Sequence, residues 1–434
     1  MLGFSTGRGE RAGLPDLRRA GTGVGRGDRG GPGRTRPPPP TEEAEPIIPA
    51  PDLESPFWRD TSLDLHLRSY YLERNRDGGQ DSLAWALGGW LAYRSGLWRE
   101  RLSIGATVYT TQKLYGPDHK PGSGLLKPVQ QGFTVLGEAY VDAKLTEQMQ
   151  LRLFRYTFDL PYLNRRDIRM VPNTFEAYFL YDKTDPTFNY ALGHVTKIKT
   201  FSSDEFVRMS EAAGAEGTNA GVSTAGFYYK PSSTAKIGAI DHYGHDTFNT
   251  FFAEATDAQD LAEGLGLRLS GQFTHQKSVG DEVVGTFQTD QFGIKSDLSY
   301  AGAVLTLAYV QTGNGGDILN PWGGSPSYSS LILEDFDRAG EKAWRFGLSY
   351  DFAVIGWKGL SGFVNYASGD TPDSGRNASN DQDELDFTID FKPPDGMLQG
   401  LWLRARAAFV DQHGDNAQDL ADYRLILNYE LPLL

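Results

Sequence analysis

The 434-residue chain contains no cysteine. That excludes a disulfide framework, a thiol nucleophile, thiolate zinc sites and cysteine-held iron–sulfur clusters. It also lacks any run of 18 uncharged apolar residues, so no α-helical membrane span is expected. That absence does not exclude membrane strands, which need only ~9–11 residues with every second one apolar. Positive charge is in deficit. The formal net charge is −14, which argues against nucleic acid as a partner, because neutralising phosphates requires clustered Lys and Arg. Helical periodicity is weak throughout, and its best candidate, Ser203 to Gly214, is short. Present in excess are glycine and aromatics, with 51 Gly, 24 Phe, 21 Tyr and 8 Trp.

Residues 1–40 differ in kind from the rest. They carry eight Arg, no Lys, abundant Gly and the run Pro37-Pro38-Pro39-Pro40, with few large apolar side chains. Such a segment cannot bury enough surface to offset its chain entropy, and disorder is expected. It shows no apolar stretch of the kind a secretory signal needs. It reads as upstream sequence translated from a misplaced start; an Arg-rich anion-binding arm is the other reading. Its eight Arg stand against Glu10, Asp16 and Asp28, so the remaining chain is more acidic than the total. Residues 41–56 form a Pro-rich acidic linker, and 57–434 are uniform in texture.

Within 57–434 the dominant signal is period-2 alternation. From Trp344 to Phe352 one parity is entirely aromatic or aliphatic, and the other is Arg345, Gly347, Ser349 and Asp351. Leu63/Leu65/Leu67, Phe387/Ile389/Phe391 and Tyr423/Leu425/Leu427 repeat the pattern. Each is a strand with one apolar and one polar face. A soluble sheet protein and an outer-membrane barrel both give such alternation. Aromatics at the ends of apolar faces (Tyr71, Tyr93, Tyr109, Tyr300, Tyr309, Tyr350, Tyr366, Tyr429) favour the barrel, where they form interfacial girdles. Charged residues on the opposite parity, such as Arg404 with Arg406, suit a wet lumen and would be costly in a dry core. At roughly 20–24 residues per strand with its share of turn, Phe57 to Leu434 holds about 16 to 18 strands. Barrels of that size enclose an aqueous channel.

Four stretches then carry a resemblance. Asn164-Arg165-Arg166-Asp167-Ile168-Arg169-Met170-Val171-Pro172-Asn173-Thr174-Phe175-Glu176 is one, and Val195 to Lys199 followed by Ser203 to Gly214 is another. The third is Asp335 to Trp344, leading into the strand Gly347 to Phe352, and the fourth is the terminal Gln418 to Tyr429. Together they resemble the OprD-type substrate-specific porins over nearly all of 57–434. The resemblance implies an all-β fold: a transmembrane antiparallel β-barrel of about 18 strands in the outer membrane of a Gram-negative bacterium. It implies inward-folded constriction loops, a lumen row of basic residues guiding small carboxylate solutes, and no enzymatic activity. Outer-membrane lipid, lipopolysaccharide and the barrel-assembly machinery are the partners it brings. The chain departs from the usual aromatic terminus, closing Leu431-Pro432-Leu433-Leu434; assembly recognition is expected to use Tyr429 or to differ in detail.

A passive pore needs binding that admits a solute and then releases it. Arg suits carboxylates because its planar fork pairs bidentately and keeps its charge. Arg404 and Arg406 lie two apart on one strand, about 7 Å along one face. Arg424, Arg345, Lys197 and Lys199 have lumen parity on their own strands, and Arg169 leads toward the first inward loop. The competing reading is that these cations only pair with lumen acids such as Glu430, Asp351 and Asp390. Ser202, Ser203 and Asp204 on one loop, with Tyr328 and Ser329 on another, are constriction candidates. The pair His242/His245 reads as two exposed loop imidazoles, and Asp381 to Asp386 as a solvated extracellular loop. No cofactor or metal is expected, and no Ser, His or acid motif points to a barrel hydrolase. A general diffusion porin is the first alternative function.

Overall fold

A computed structural model describes residues 54–182, 187–414 and 416–434. The expectations for 1–40 and most of 41–56 lie outside the described residues. No described helix is long and apolar enough to cross a membrane. Among the described residues, eighteen long strands alternate in direction around a single sheet, which also takes in the two-residue strand Val207–Arg208. The first six are β1 (Ser62–Arg76), β2 (Ser82–Arg94), β3 (Leu102–Tyr115), β4 (Phe133–Lys144), β5 (Met149–Tyr156) and β6 (Thr174–Asp182). The next six are β7 (Phe188–Lys199), β8 (Val222–Tyr229), β9 (Ala235–Gly244), β10 (Phe248–Ala262), β11 (Leu265–Ser278) and β12 (Gln288–Tyr300). The last are β13 (Ala303–Thr312), β14 (Lys342–Asp351), β15 (Leu360–Asp370), β16 (Asp381–Phe391), β17 (Leu401–His413) and β18 (Leu420–Pro432). Pairing of β1 with β18, from Asp64 opposite Pro432 to Arg76 opposite Leu420, closes the barrel and removes both sheet edges.

The barrel is inside out relative to a soluble sandwich. Leu87, Leu91, Ile294, Leu305, Leu348, Ile389 and Leu425 are exposed on its outer surface, while Gln276, Glu384, Asp386, Arg424 and Asn428 are buried on its inner one. A lipid exterior and a filled polar interior account for this inversion. The aromatic expectation fails at one position. Tyr109 shares the inward parity of Thr107 and Thr111, is 4% exposed, and donates to Glu138. Large lumen rings need small neighbours: a Cβ on Gly193, opposite Phe179, would lie 2.5 Å from that ring.

Connections divide by length. Segments 116–132, 157–173, 200–221 and 313–341 all leave one rim; β1 starts and β18 ends at the other, whose turns include 145–148 and 301–302. Apolar clusters lie inside the barrel where the long segments pack. One joins Phe158, Tyr162, Phe175, Val195, Phe252 and Trp322; another joins Tyr70, Leu125, Met170 and Ile426. In the expected helical stretch Ser203 to Gly214 only Met209–Ala212 is α-helical.

Candidate functional site

Segment 157–173 crosses the lumen. At one end the Tyr162 hydroxyl meets Thr274 Oγ1 on β11 at 2.8 Å, and the Pro161 carbonyl lies 2.8 Å from His242 Nε2 on β9. At the other, Arg68 on β1 donates to both Asp167 oxygens at 2.6 and 3.1 Å and to the Arg169 carbonyl at 2.5 Å. Tyr70 adds a bond to the Ile168 carbonyl at 3.2 Å. Strands β1 and β11 lie nearly opposite in an 18-strand ring, so a segment tied to both must span the channel. Burial alone would raise the Asp167 carboxyl, but the Arg68 guanidinium outweighs it and holds it below the usual range.

Segment 313–341 closes a second sector. It is bonded to β11 through Gln276 and the Leu319 backbone, and to β10 through Tyr328 and Glu254 at 3.0 Å. On β16 the Asp386 carboxylate accepts from the Ile332 N–H at 3.1 Å, and Glu384 accepts from Leu333 and Glu334 at 2.9 and 2.7 Å. The two crossing segments meet where Asn164 and Gly324 exchange bonds of 3.0 and 2.9 Å. Between their anchors on β16 and β1 remains a sector of wall four strands wide.

That sector carries six arginines: Arg404 and Arg406 on β17, Arg424 on β18, and Arg68, Arg74 and Arg76 on β1. Asp390 takes a two-pronged pair from Arg404, at 2.7 and 2.8 Å. Asp422 serves Arg424 and also Arg74, the latter at 2.8 Å. Arg406 donates to Thr388 at 3.2 Å and stands directly opposite Arg424 in the β17–β18 register. Arg169 reaches the same region from the crossing segment, donating to the Ser123 and Ile168 carbonyls, each at 3.0 Å. Burial first, then the charge of Arg424, push its guanidinium down to about 9, so it stays cationic at neutral pH.

A family model described as "outer membrane porin, OprD family" matches residues 55–433. The chain belongs to this family. Porin D of Pseudomonas aeruginosa is 22% identical, over 87% of this chain and 92% of that protein. Among solved structures, OccK9 (OpdG) of P. aeruginosa has a TM-score of 0.80 at 23% identity, covering 87% of this chain and 100% of its own. OccAB2 of Acinetobacter baumannii also reaches 0.80, at 20% identity and 88% and 100% coverage. OpdK of P. aeruginosa, solved with vanillate, reaches 0.77 at 19% identity and 86% and 99% coverage. These relatives are porins, transport channels and not enzymes. The protein is accordingly an outer-membrane porin, its long-loop rim extracellular and its short turns periplasmic.

The remaining expected residues are distributed unevenly in this porin. Arg345 is on the lumen wall but donates to the Tyr328 carbonyl at 3.0 Å and to Asn365 at 2.9 Å, which ties it to segment 313–341. Tyr328 and Ser329 belong to that segment and are buried, Ser329 bonding Ser327 at 2.9 Å and the Asp335 carbonyl at 3.1 Å. Ser202 and Ser203 are half-buried, and Asp204 accepts from Lys127 at 2.8 and 3.0 Å. The Lys127 ammonium holds the Asp204 carboxyl below the usual range.

Lys197 and Lys199 do not share the lumen face expected of them. Thr196 is an extra residue in the β6–β7 pairing, where Ala177 faces Val195 but Glu176 faces Lys197. One inserted residue exchanges the two faces beyond it. Lys197 therefore sits 3.8 Å from Glu176, and Lys199, fully buried, donates to the Pro172 and Thr200 carbonyls, each at 2.9 Å. Two further expectations are corrected. Asp381 to Asp386 is not a solvated loop but the start of β16, with Glu384 and Asp386 buried as loop anchors. His242 is no exposed imidazole: it is buried between Thr224 and the Pro161 carbonyl.

The anchors missed by sequence reasoning are Arg68, Glu384, Asp386 and Glu254. Arg68 had lumen parity in its strand, but nothing in the sequence pairs it with Asp167, 99 residues away. Because Glu384 and Asp386 hold three consecutive N–H groups, Glu384→Ala with Asp386→Ala is expected to free residues 332–334. Trypsin added to intact cells should then cut after Arg338, which it spares in the wild type; equal resistance would sink the anchor assignment.

Segment 313–341 also contains a buried acid. Burial first, then the charges of Asp335, Glu341, Asp317 and Glu334, push the Asp337 carboxyl well above the usual carboxylate range. A raised folded-state value favours the neutral form. The penalty is absent below pH ~4 and grows as pH climbs through the folded-state value, so the segment is tightest in acid. Asp337→Asn is expected to stabilise it by roughly 1–3 kcal/mol at pH 8 and hardly at pH 4. Hydrogen exchange of 317–341 at the two pH values measures this, and an unchanged pH dependence would contradict it.

Proposed function

We propose that the protein is a substrate-selective porin through which small carboxylate-bearing solutes, such as amino acids and organic or aromatic acids, diffuse passively. The carrying observation is that Arg404 and Arg406, both half-buried on β17, stand in the sector between the anchors of the two crossing segments, with Arg406 directly opposite the buried Arg424. Side chains directly opposite on neighbouring strands are about 5 Å apart at Cβ, where like charges repel. An anionic solute relieves that repulsion, and Arg404 with Arg74 and Arg169 extends the positive field along its path. Asp390 and Asp422 keep the well shallow enough for release. Vanillate, found with OpdK, is a carboxylate and supports the solute class.

A planar-bilayer experiment tests the reading. The wild type is expected to show stepwise current that small carboxylates block saturably. Large, unsaturable conductance indifferent to carboxylates would favour a general diffusion porin instead.

A further inference from the structure

The displaced Lys197 belongs to a row that the channel does not use. Across four neighbouring segments Arg155, Glu176, Lys197 and Arg208 stand directly opposite one another, the last on the two-residue strand Val207–Arg208. Their chain neighbours Tyr156, Phe175, Ile198 and Val207 pack in the lumenal apolar cluster. Alternation therefore turns the row outward, away from the lumen. Two irregularities produce it: the extra Thr196, and Phe154 at φ 81°, which is 52% exposed although its pairing partner Ala177 is buried.

Three cations share one acid. Glu176 lies 3.4 Å from Arg155 and 3.8 Å from Lys197, and no carboxylate pairs with Arg208 among the described residues. Arg155 stacks on the Phe206 ring at 4.1 Å. Exposed Phe154 and Tyr178 continue the apolar belt immediately on the membrane side of the row. The row thus lies at the extracellular edge of the outer leaflet, with Lys197 and Arg208 on adjacent strands ~4.8 Å apart and Arg155 two strand spacings from Lys197, across Glu176.

We infer that this row binds the phosphate groups of a phosphorylated outer-leaflet glycolipid. The inference rests on the outer-membrane placement and not on the carboxylate reading. Arg pairs phosphate through two parallel N–H bonds and Lys as a point charge, while the acyl chains lie against Phe154 and Tyr178. On a chain of net charge −14, an outward row with two uncompensated positive charges is where an anionic headgroup gains most.

The test titrates full-length protein, purified in detergent, with bisphosphorylated lipid A, with its dephosphorylated form and with inorganic phosphate, reading bound species by native mass spectrometry. Wild type is expected to bind the phosphorylated lipid, and Arg155→Gln/Lys197→Gln/Arg208→Gln to bind it at least roughly tenfold more weakly. The control is Lys277→Gln/Lys342→Gln, which removes outward charges at the same rim and should stay within about twofold of wild type. Equal binding by the triple variant, equal binding of the dephosphorylated lipid, or capture of inorganic phosphate in preference to lipid would each overturn the assignment. Should the triple variant lose its folded migration on unheated gels, Arg208→Gln alone, which strands no acid, is expected to weaken binding about threefold; no change would overturn it. Conductance is recorded on the same preparations in neutral-lipid bilayers. Wild type without carboxylate block would sink the channel reading and leave lipid binding standing.

Discussion

Replacing Arg404 and Arg406 together with Ala is expected to raise the carboxylate concentration that half-blocks the current by roughly tenfold or more. Hydrogen bonds to charged groups contribute about 1.5–3 kcal/mol each when shielded from water. The lumen is wet, so the lower end applies, and even one lost contact of that size is about a decade in affinity. Loss of two positive charges also moves ion selectivity away from anions, read as a shift in reversal potential across a salt gradient. The double variant leaves Asp390 without its two-pronged partner, which adds a negative charge to the path and works in the same direction. Arg404→Ala with Asp390→Asn separates the two contributions, because it removes the pair and leaves Arg406 opposite Arg424. An unchanged half-blocking concentration in Arg404→Ala/Arg406→Ala would falsify the proposed solute path.

Arg68→Ala should have the largest structural effect of any lumen substitution. The guanidinium donates to Asn428, to both oxygens of Asp167 and to the Arg169 carbonyl while only 5% exposed. Arg68 is buried but Asp167 is exposed on its far side, so losing the guanidinium costs about 1–3 kcal/mol, with water taking up part of the stranded charge. Here that cost falls on the junction between segment 157–173 and β1, not on the barrel ladder. The crossing segment is expected to swing off the wall, raising single-channel conductance several-fold and adding slow current fluctuations. Arg68→Lys is expected to restore little, because one ammonium cannot reach three separated acceptors at once. If conductance in Arg68→Ala stays at the wild-type level, the segment is held by its Thr274 and His242 contacts alone.

The correspondence between sequence and structure follows the range of the interactions involved. Alternation such as Trp344 to Phe352 is a property of adjacent residues, and the strand Lys342–Asp351 appears where that pattern lies. The parity of Arg404, Arg406 and Arg424 was legible for the same reason. It failed at Lys197, where a single inserted Thr changes the face, and a bulge leaves no compositional mark. It failed again at Asp381 to Asp386, where a dense run of acids resembles solvent-exposed chain. Glu384 and Asp386 tolerate burial only because the backbone of 332–334 supplies donors, and that partner lies 50 residues away.

His242 failed for the same reason, its partner being the Pro161 carbonyl, 81 residues away on a segment folded into the lumen. The sequence by itself therefore determined the barrel, its approximate strand number, the apolar exterior and the arginines of β17 and β18. All of these follow from period-2 patterning and chain length. Only the tertiary structure decided which cations are locked into loop anchors, as Arg68 and Arg345 are, and which stay half-buried on the wall, as Arg404 and Arg406 do. Those outcomes depend on where 157–173 and 313–341 come to rest, and contacts between residues a hundred positions apart leave no local signal.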